Sequence, residues 1–163
     1  MPTLIAPVLL FAIAAPAPDR NVQKLRALRG VWIVTAIESH GKNIAIGEGK
    51  EKVPPQTLVL CGERYAFSEH GGTIKLDVFN QAVDLVAAQG RFKNYTFLGI
   101  YEHTGETLKI ALPNPLLVTA RPREFKTQPS TTHSTYTFRR DNVMSKDEVE
   151  RLLEARMRTL AGR

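Results

Sequence analysis

Two arginines one residue apart, Arg121 and Arg123 in the run RPREF, form the pattern in this 163-residue chain best suited to recognising an anion. A guanidinium fork meets a carboxylate or phosphate with two parallel hydrogen bonds, so the pair could hold the acidic end of a ligand. The better account of Arg121 is structural: it binds backbone carbonyls and ties down the long segment around it, with Phe125 plugging a rim. His40, His70, His103 and His133 lie too far apart in sequence to make a ligand motif. His40 and His70 fall in connections on one side of the expected fold, but no carboxylate or thiol completes a metal site there. Polar turn residues are the better account of all four, and no metal is expected. Asp77 and Asp84 flank a short turn, as a general acid and base would. Turn capping, or pairing with Lys75 or Lys109, explains them more simply. With no G-x-S-x-G elbow and no phosphate-cradling glycine loop, the residues point to no catalysis and no cofactor.

Composition narrows the class further. Apolar residues make up 43% and charged residues 23%, which excludes a disordered, collagenous or coiled-coil chain. The length suits one domain with a core large enough to need no staple. Cys61 is the one cysteine, so a disulfide scaffold and a cysteine-based zinc module are both excluded. The formal charge of +6 is not arranged as a basic stripe with interleaved aromatics, which argues against nucleic acid as a partner.

The elements that must position these residues follow from periodicity. Val22, Leu25 and Leu28 have helical spacing, Asp19 or Asn21 can cap them, and Gly30 can end a short helix. After Gly30 the hydrophobic period becomes two. Eight strands are expected, at 31–39, 57–61, 64–69, 73–78, 82–87, 94–102, 107–112 and 132–140. Ile74 and Leu76 alternate with Thr73 and Lys75, and Leu108, Ile110 and Leu112 with Thr107 and Lys109. Several connections are short and carry glycine or asparagine, which makes successive strands antiparallel neighbours. An open eight-stranded meander has two exposed edges, and closure removes them. The expected fold class is all-β, an eight-stranded antiparallel up-and-down barrel. Ser145 and Glu148 form a capping box before Val149, Leu152, Leu153, Met157 and Leu160, so an amphipathic C-terminal helix should pack outside the barrel near the first strand.

Strand parity sorts the connections. Those at 40–56, 70–72, 88–93 and 113–131 fall at one end; those at 62–63, 79–81 and 103–106 fall at the other, with the first helix. Long loops on one side suit a cup with a tight floor and an elaborated mouth. The candidate ligand-binding residues of that mouth are Lys42, Arg91, Arg121 and Arg123, whose charge favours an anionic amphiphile.

Residues 4–17 read LIAPVLLFAIAAPA, shorter than the roughly 20 residues of a membrane-spanning helix. The stretch has the character of a secretory signal with cleavage after Ala14, within a leader and short linker at 1–18. The barrel would then occupy 19–142 and the final helix 143–163. The expected location is periplasmic, cell-envelope or extracellular, without a membrane-spanning segment.

Gly30-Val31-Trp32, after a short helix and opening the first strand, resembles the G-x-W motif of lipocalins. That resemblance implies a floor built on Trp32, with Arg139 or Arg140 from the last strand stacked on it. A closer likeness covers most of residues 24–140: LRGVWIV, HGK, GTIKLD, AVDL, LGIYEHTGETLKI and RPREF resemble an uncharacterised bacterial family of small, often exported lipocalin-like domains. Its ordered hallmark is matched by Gly99, Ile100, Tyr101, Leu108, Lys109, Ile110, Arg121, Pro122 and Phe125. The family implies fold and compartment and no mechanism. The leading expectation is therefore a lipocalin-like barrel that binds an apolar or anionic amphiphilic small molecule. The alternative is a protein-interaction or envelope-structural domain with a solid core and a protein partner.

Overall fold

Alternation of apolar and polar residues from Gly30 onward builds one sheet that curls until its ends meet. The computed structural model describes residues 19–47, 53, 55–117 and 120–162, so the leader expected at 1–18 lies outside the described residues. Helix α1 (Arg20–Leu28) is followed by β1 (Gly30–Ser39), β2 (Lys42–Ile44), β3 (Thr57–Cys61), β4 (Arg64–Phe67) and β5 (His70–Asp77). Then come β6 (Ala82–Gly90), β7 (Thr96–Thr104), β8 (Thr107–Pro113), β9 (His133–Asp141) and helix α2 (Lys146–Ala161). Strands β3 to β9 each pair with the next, antiparallel throughout. β1 closes the circle, bonding β3 on one edge and β9 on the other, from Val31 opposite Asp141 to Ser39 opposite Ser134. The closed eight-stranded antiparallel barrel expected from the meander is what forms.

Two local features differ from the sequence reading. His40 (φ 52°) and Gly41 (φ 73°) turn the chain straight back, so β2 pairs with the upper part of β1 while β3 covers its lower part. Successive positive φ values are those of a tight two-residue hairpin. The second difference is the turn expected at His70-Gly71-Gly72. It falls at Ser68-Glu69 instead, with Ser68 at φ 50°, and the three later residues belong to β5. The glycines serve close approach: a Cβ on Gly71 would lie 2.5 Å from the Met157 sulfur, and Gly72 follows a bulge against β6.

The inner faces make one continuous core, and two outer strips are also covered. Trp32, Leu60, Tyr65, Ile74, Leu85, Tyr101, Leu108 and Phe138 are buried inside. Outside, α2 lays Val149, Leu153 and Leu160 on Val31, Val59 and Ala66, with Leu152 and Met157 alongside. Arg64 pairs with Glu154 at 2.7 Å and Arg156 donates to the Thr57 carbonyl at 3.0 Å, which fix the helix along β3 and β4. Its Ser145–Glu148 capping box is formed. The segment at 120–132 lies on a second strip: Thr135 donates to the Phe125 carbonyl and the Lys109 ammonium stands over the Phe125 ring, while Ala111, opposite Thr135, is fully buried.

The floor is closed by α1. Leu25 and Leu28 enter the core, and the Trp32 indole donates to the Leu28 carbonyl at 2.9 Å. Of the two arginines at the end of β9, Arg140 makes the stack, its guanidinium 4.4 Å from the Trp32 ring; Arg139 is exposed. Arg140 also donates to the carbonyls of Arg29 (3.0 Å) and Ala27 (2.6 Å), which clamps the end of the helix against the barrel. His103 meets Trp32 edge-on at 5.7 Å and lies 3.0 Å from the Lys24 ammonium.

Candidate functional site

Among the described residues, the end opposite α1 is open. There the ends of β1, β5, β8 and β9 and the β6–β7 turn surround a cavity of about 350 Å³. Alternation places Phe67, His70, Phe97, Leu112 and Tyr136 on its walls, because these residues continue the inward phase of their strands toward the mouth. Phe92 enters from the β6–β7 turn. Ser39, His40, Ser68, Arg91, Asn114 and His133 supply polar groups, and Pro113, Pro115, Leu116 and Leu117 an apolar shoulder. Leu116 and Leu117 are 56% and 71% exposed.

An aromatic layer forms the bottom of this cup. Phe67 meets His70, Tyr136 and Phe138 edge-on, with ring centroids 5.9, 5.2 and 5.6 Å away. His70 stacks on Phe97 at 4.5 Å with planes 16° apart, and Phe92 presents its edge to both rings. Below, Phe138 and the leucines fill the barrel, so the lumen is a cup at one end.

His70 is 5% exposed, and its Nδ1 lies 2.8 Å from the Tyr65 hydroxyl. Burial pushes the imidazole pKa down to about 4 and raises that of the Tyr65 phenol. Near neutral pH the pair is therefore a neutral imidazole and a neutral phenol. His70 is thus a wall residue and not the polar turn residue expected from the sequence. His133 also reaches the cup, with its Nε2 buried and unbonded among the described residues. His40 is exposed at the rim, with Nδ1 2.9 Å from the Ser39 hydroxyl. Among the described residues no three metal-ligating side chains gather.

Of the four basic candidates, Arg91 alone lines the cup. It lies 3.4 Å from the Glu69 carboxylate and stands over the Phe92 ring. Lys42 is exposed on β2, and Arg123 is exposed on the segment outside the barrel. Arg121 is on the outer wall: it pairs with Asp84 at 2.6 Å and donates to the carbonyls of Val83 (3.1 Å) and Gly99. The reason is that the segment from residue 120 onward lies on the outer face, Arg121 on β6 and β7 and Thr127 against Glu38 and Gly41. Phe125 accordingly sits under the Lys109 ammonium instead of plugging the mouth. The two aspartates part company as well. Asp77 accepts from the amides of Phe79 and Asn80 in the turn, and Asp84 holds Arg121.

The signal that would have found His70 was present: residues 70, 72, 74 and 76 share one phase, and Ile74 and Leu76 face inward. Compared with known proteins, this chain matches no family model, no curated protein and no solved structure.

Proposed function

We propose that the protein is an exported, lipocalin-like carrier that binds an apolar or anionic amphiphilic small molecule in the cup, without catalysis. The observation that carries this reading is the 350 Å³ cavity walled by Phe67, Phe92, Phe97 and Tyr136 at the end that bears the longest connections. Ordinary ligand pockets span roughly 300 to 1,000 Å³, so the occupant is compact, a ring system or a short chain. Arg91 is the cation placed to meet an acidic group at the rim, in place of the wider basic set read from the sequence. The Trp32–Arg140 floor supports the lipocalin-like part of the reading, and the apolar stretch at 4–17 supports export.

Titration with 1-anilinonaphthalene-8-sulfonate, a compact aromatic anion, should give saturable 1:1 binding, weakened when Arg91 is replaced by Gln. Native mass spectrometry of the protein isolated from its exporting host should show a co-purifying small molecule, and the mature chain should begin at Ala15. A dye signal that never saturates, together with a mass equal to the bare polypeptide, would overturn the binding reading.

A further inference from the structure

The Tyr65–His70 pair determines which hydrogen-bonding face the cup offers. Tyr65 is fully buried, and its hydroxyl makes one hydrogen bond among the described residues, to His70 Nδ1. If Nδ1 carried the imidazole proton, the phenol would have to accept it, and its own O–H would be left buried without an acceptor. Such orphaned donors are rare because they forfeit their hydration. The economical arrangement has the Tyr65 O–H donating to a bare Nδ1, which puts the ring proton on Nε2. Among the described residues Nε2 has no hydrogen-bond partner, and His70 lines the cavity. The ring is held in place by its stack on Phe97 and by the edges of Phe67 and Phe92.

We propose that His70 is the specificity-determining residue of the cup, presenting Nε2–H to an acceptor oxygen on a flat aromatic occupant of the aryl carbonyl class. This rests on the binding reading given above and adds a substrate class to it. Water can satisfy Nε2–H while the cup is open. An aromatic body that fills the cup expels that water, so an occupant without an acceptor strands a buried donor. One with a carbonyl at that point does not, and the asymmetry is a source of discrimination between ligands of equal shape. The Phe67, Phe92 and Phe97 rings favour an aromatic partner through edge-to-face and offset contacts.

The test compares 2-acetylnaphthalene with 2-isopropenylnaphthalene, in which C=CH₂ replaces C=O, by titration of the wild-type protein using the probes' own fluorescence. The ketone should bind roughly tenfold tighter. In the double variant Tyr65→Phe/His70→Phe, which removes both polar partners together, the ratio should fall to about one. Ring ¹⁵N shifts of wild-type His70 should independently show a bare Nδ1 and a protonated Nε2, with no variant needed. Equal affinities in the wild type, or the opposite tautomer, would overturn the role of His70 and leave the binding cup standing. Failure of both probes to bind would overturn this proposal and the binding reading together.

Discussion

Acidification should destabilise this protein through His70 above the range in which its hydrogen-bonded carboxylates respond. The imidazole has a pKa of about 4 in the fold against 6.5 as a free side chain, and the cause is burial. Between these values the unfolded chain binds more protons than the native one, so stability falls as pH falls. The contribution is fully present above about pH 6.5 and is lost as the pH drops toward 4. A shift of that size corresponds to about 3 kcal/mol in full, of which about 2 kcal/mol is lost between pH 7 and pH 5. Carboxylates held low by hydrogen bonds, such as Glu38 by Thr127 and Asp77 by Asn80, lose their contributions at lower pH. His103 is also depressed, chiefly by burial and then by the Lys24 and Arg140 charges, but it is common to wild type and variant. Urea unfolding followed by the emission of Trp32, the one tryptophan, reads the effect directly. The wild-type midpoint should fall by about 1 M between pH 7 and pH 5. The Tyr65→Phe/His70→Phe protein should fall by markedly less over the same range. Equal falls in the two proteins would refute the assignment of the pH response to His70.

Three further perturbations test the frame around the cup. Arg121→Met removes the ion pair with Asp84 and two bonds to β6 and β7 carbonyls; it should cost about 1–3 kcal/mol and speed amide exchange at Thr127 and Thr135, whereas unchanged exchange would deny Arg121 its anchoring role. Gly71→Val drives a side chain into Met157, so stability should drop by about 1–3 kcal/mol and α2 should become open to limited proteolysis while Trp32 emission is retained; a protected helix would contradict the close approach. Arg140→Met frees the carbonyls of Ala27 and Arg29 and uncovers the indole, with an expected loss of about 1–3 kcal/mol and a shifted Trp32 emission maximum, and an unaltered spectrum would count against the floor clamp.

Closure of the barrel was legible because it follows from local signals: period-two alternation, short glycine-bearing hairpins, and edges that must be paired. The capping box at Ser145–Glu148 was legible for the same reason, since both residues belong to one turn of chain. The Ser68-Glu69 turn was not, because Gly71 and Gly72 look like turn residues and their real work, admitting α2 and a bulge, is tertiary. Arg121 shows the limit most clearly. Its role of binding backbone carbonyls to hold the long segment was legible and forms on Val83 and Gly99, but its ionic partner Asp84, which the sequence set near Asp77, was not. Which way a long connection leaves a rim depends on the wall it can cover, here around Thr135 and Lys109, and no local pattern records that. The aromatic walls were partly legible, since Phe67, Phe97 and Tyr136 are strand residues of inward phase. The Tyr65–His70 bond joins two strands across a turn that the sequence reading set in the wrong place.

The most direct measurement is a map of chemical-shift changes on titrating the ¹⁵N,¹³C-labelled protein with 1-anilinonaphthalene-8-sulfonate. An aromatic cup at the mouth predicts saturable changes concentrated on Phe67, His70, Phe92, Phe97 and Tyr136, with Trp32 and the α2 face unmoved. Changes centred on the outer wall or on α2, or none that saturate, would contradict it.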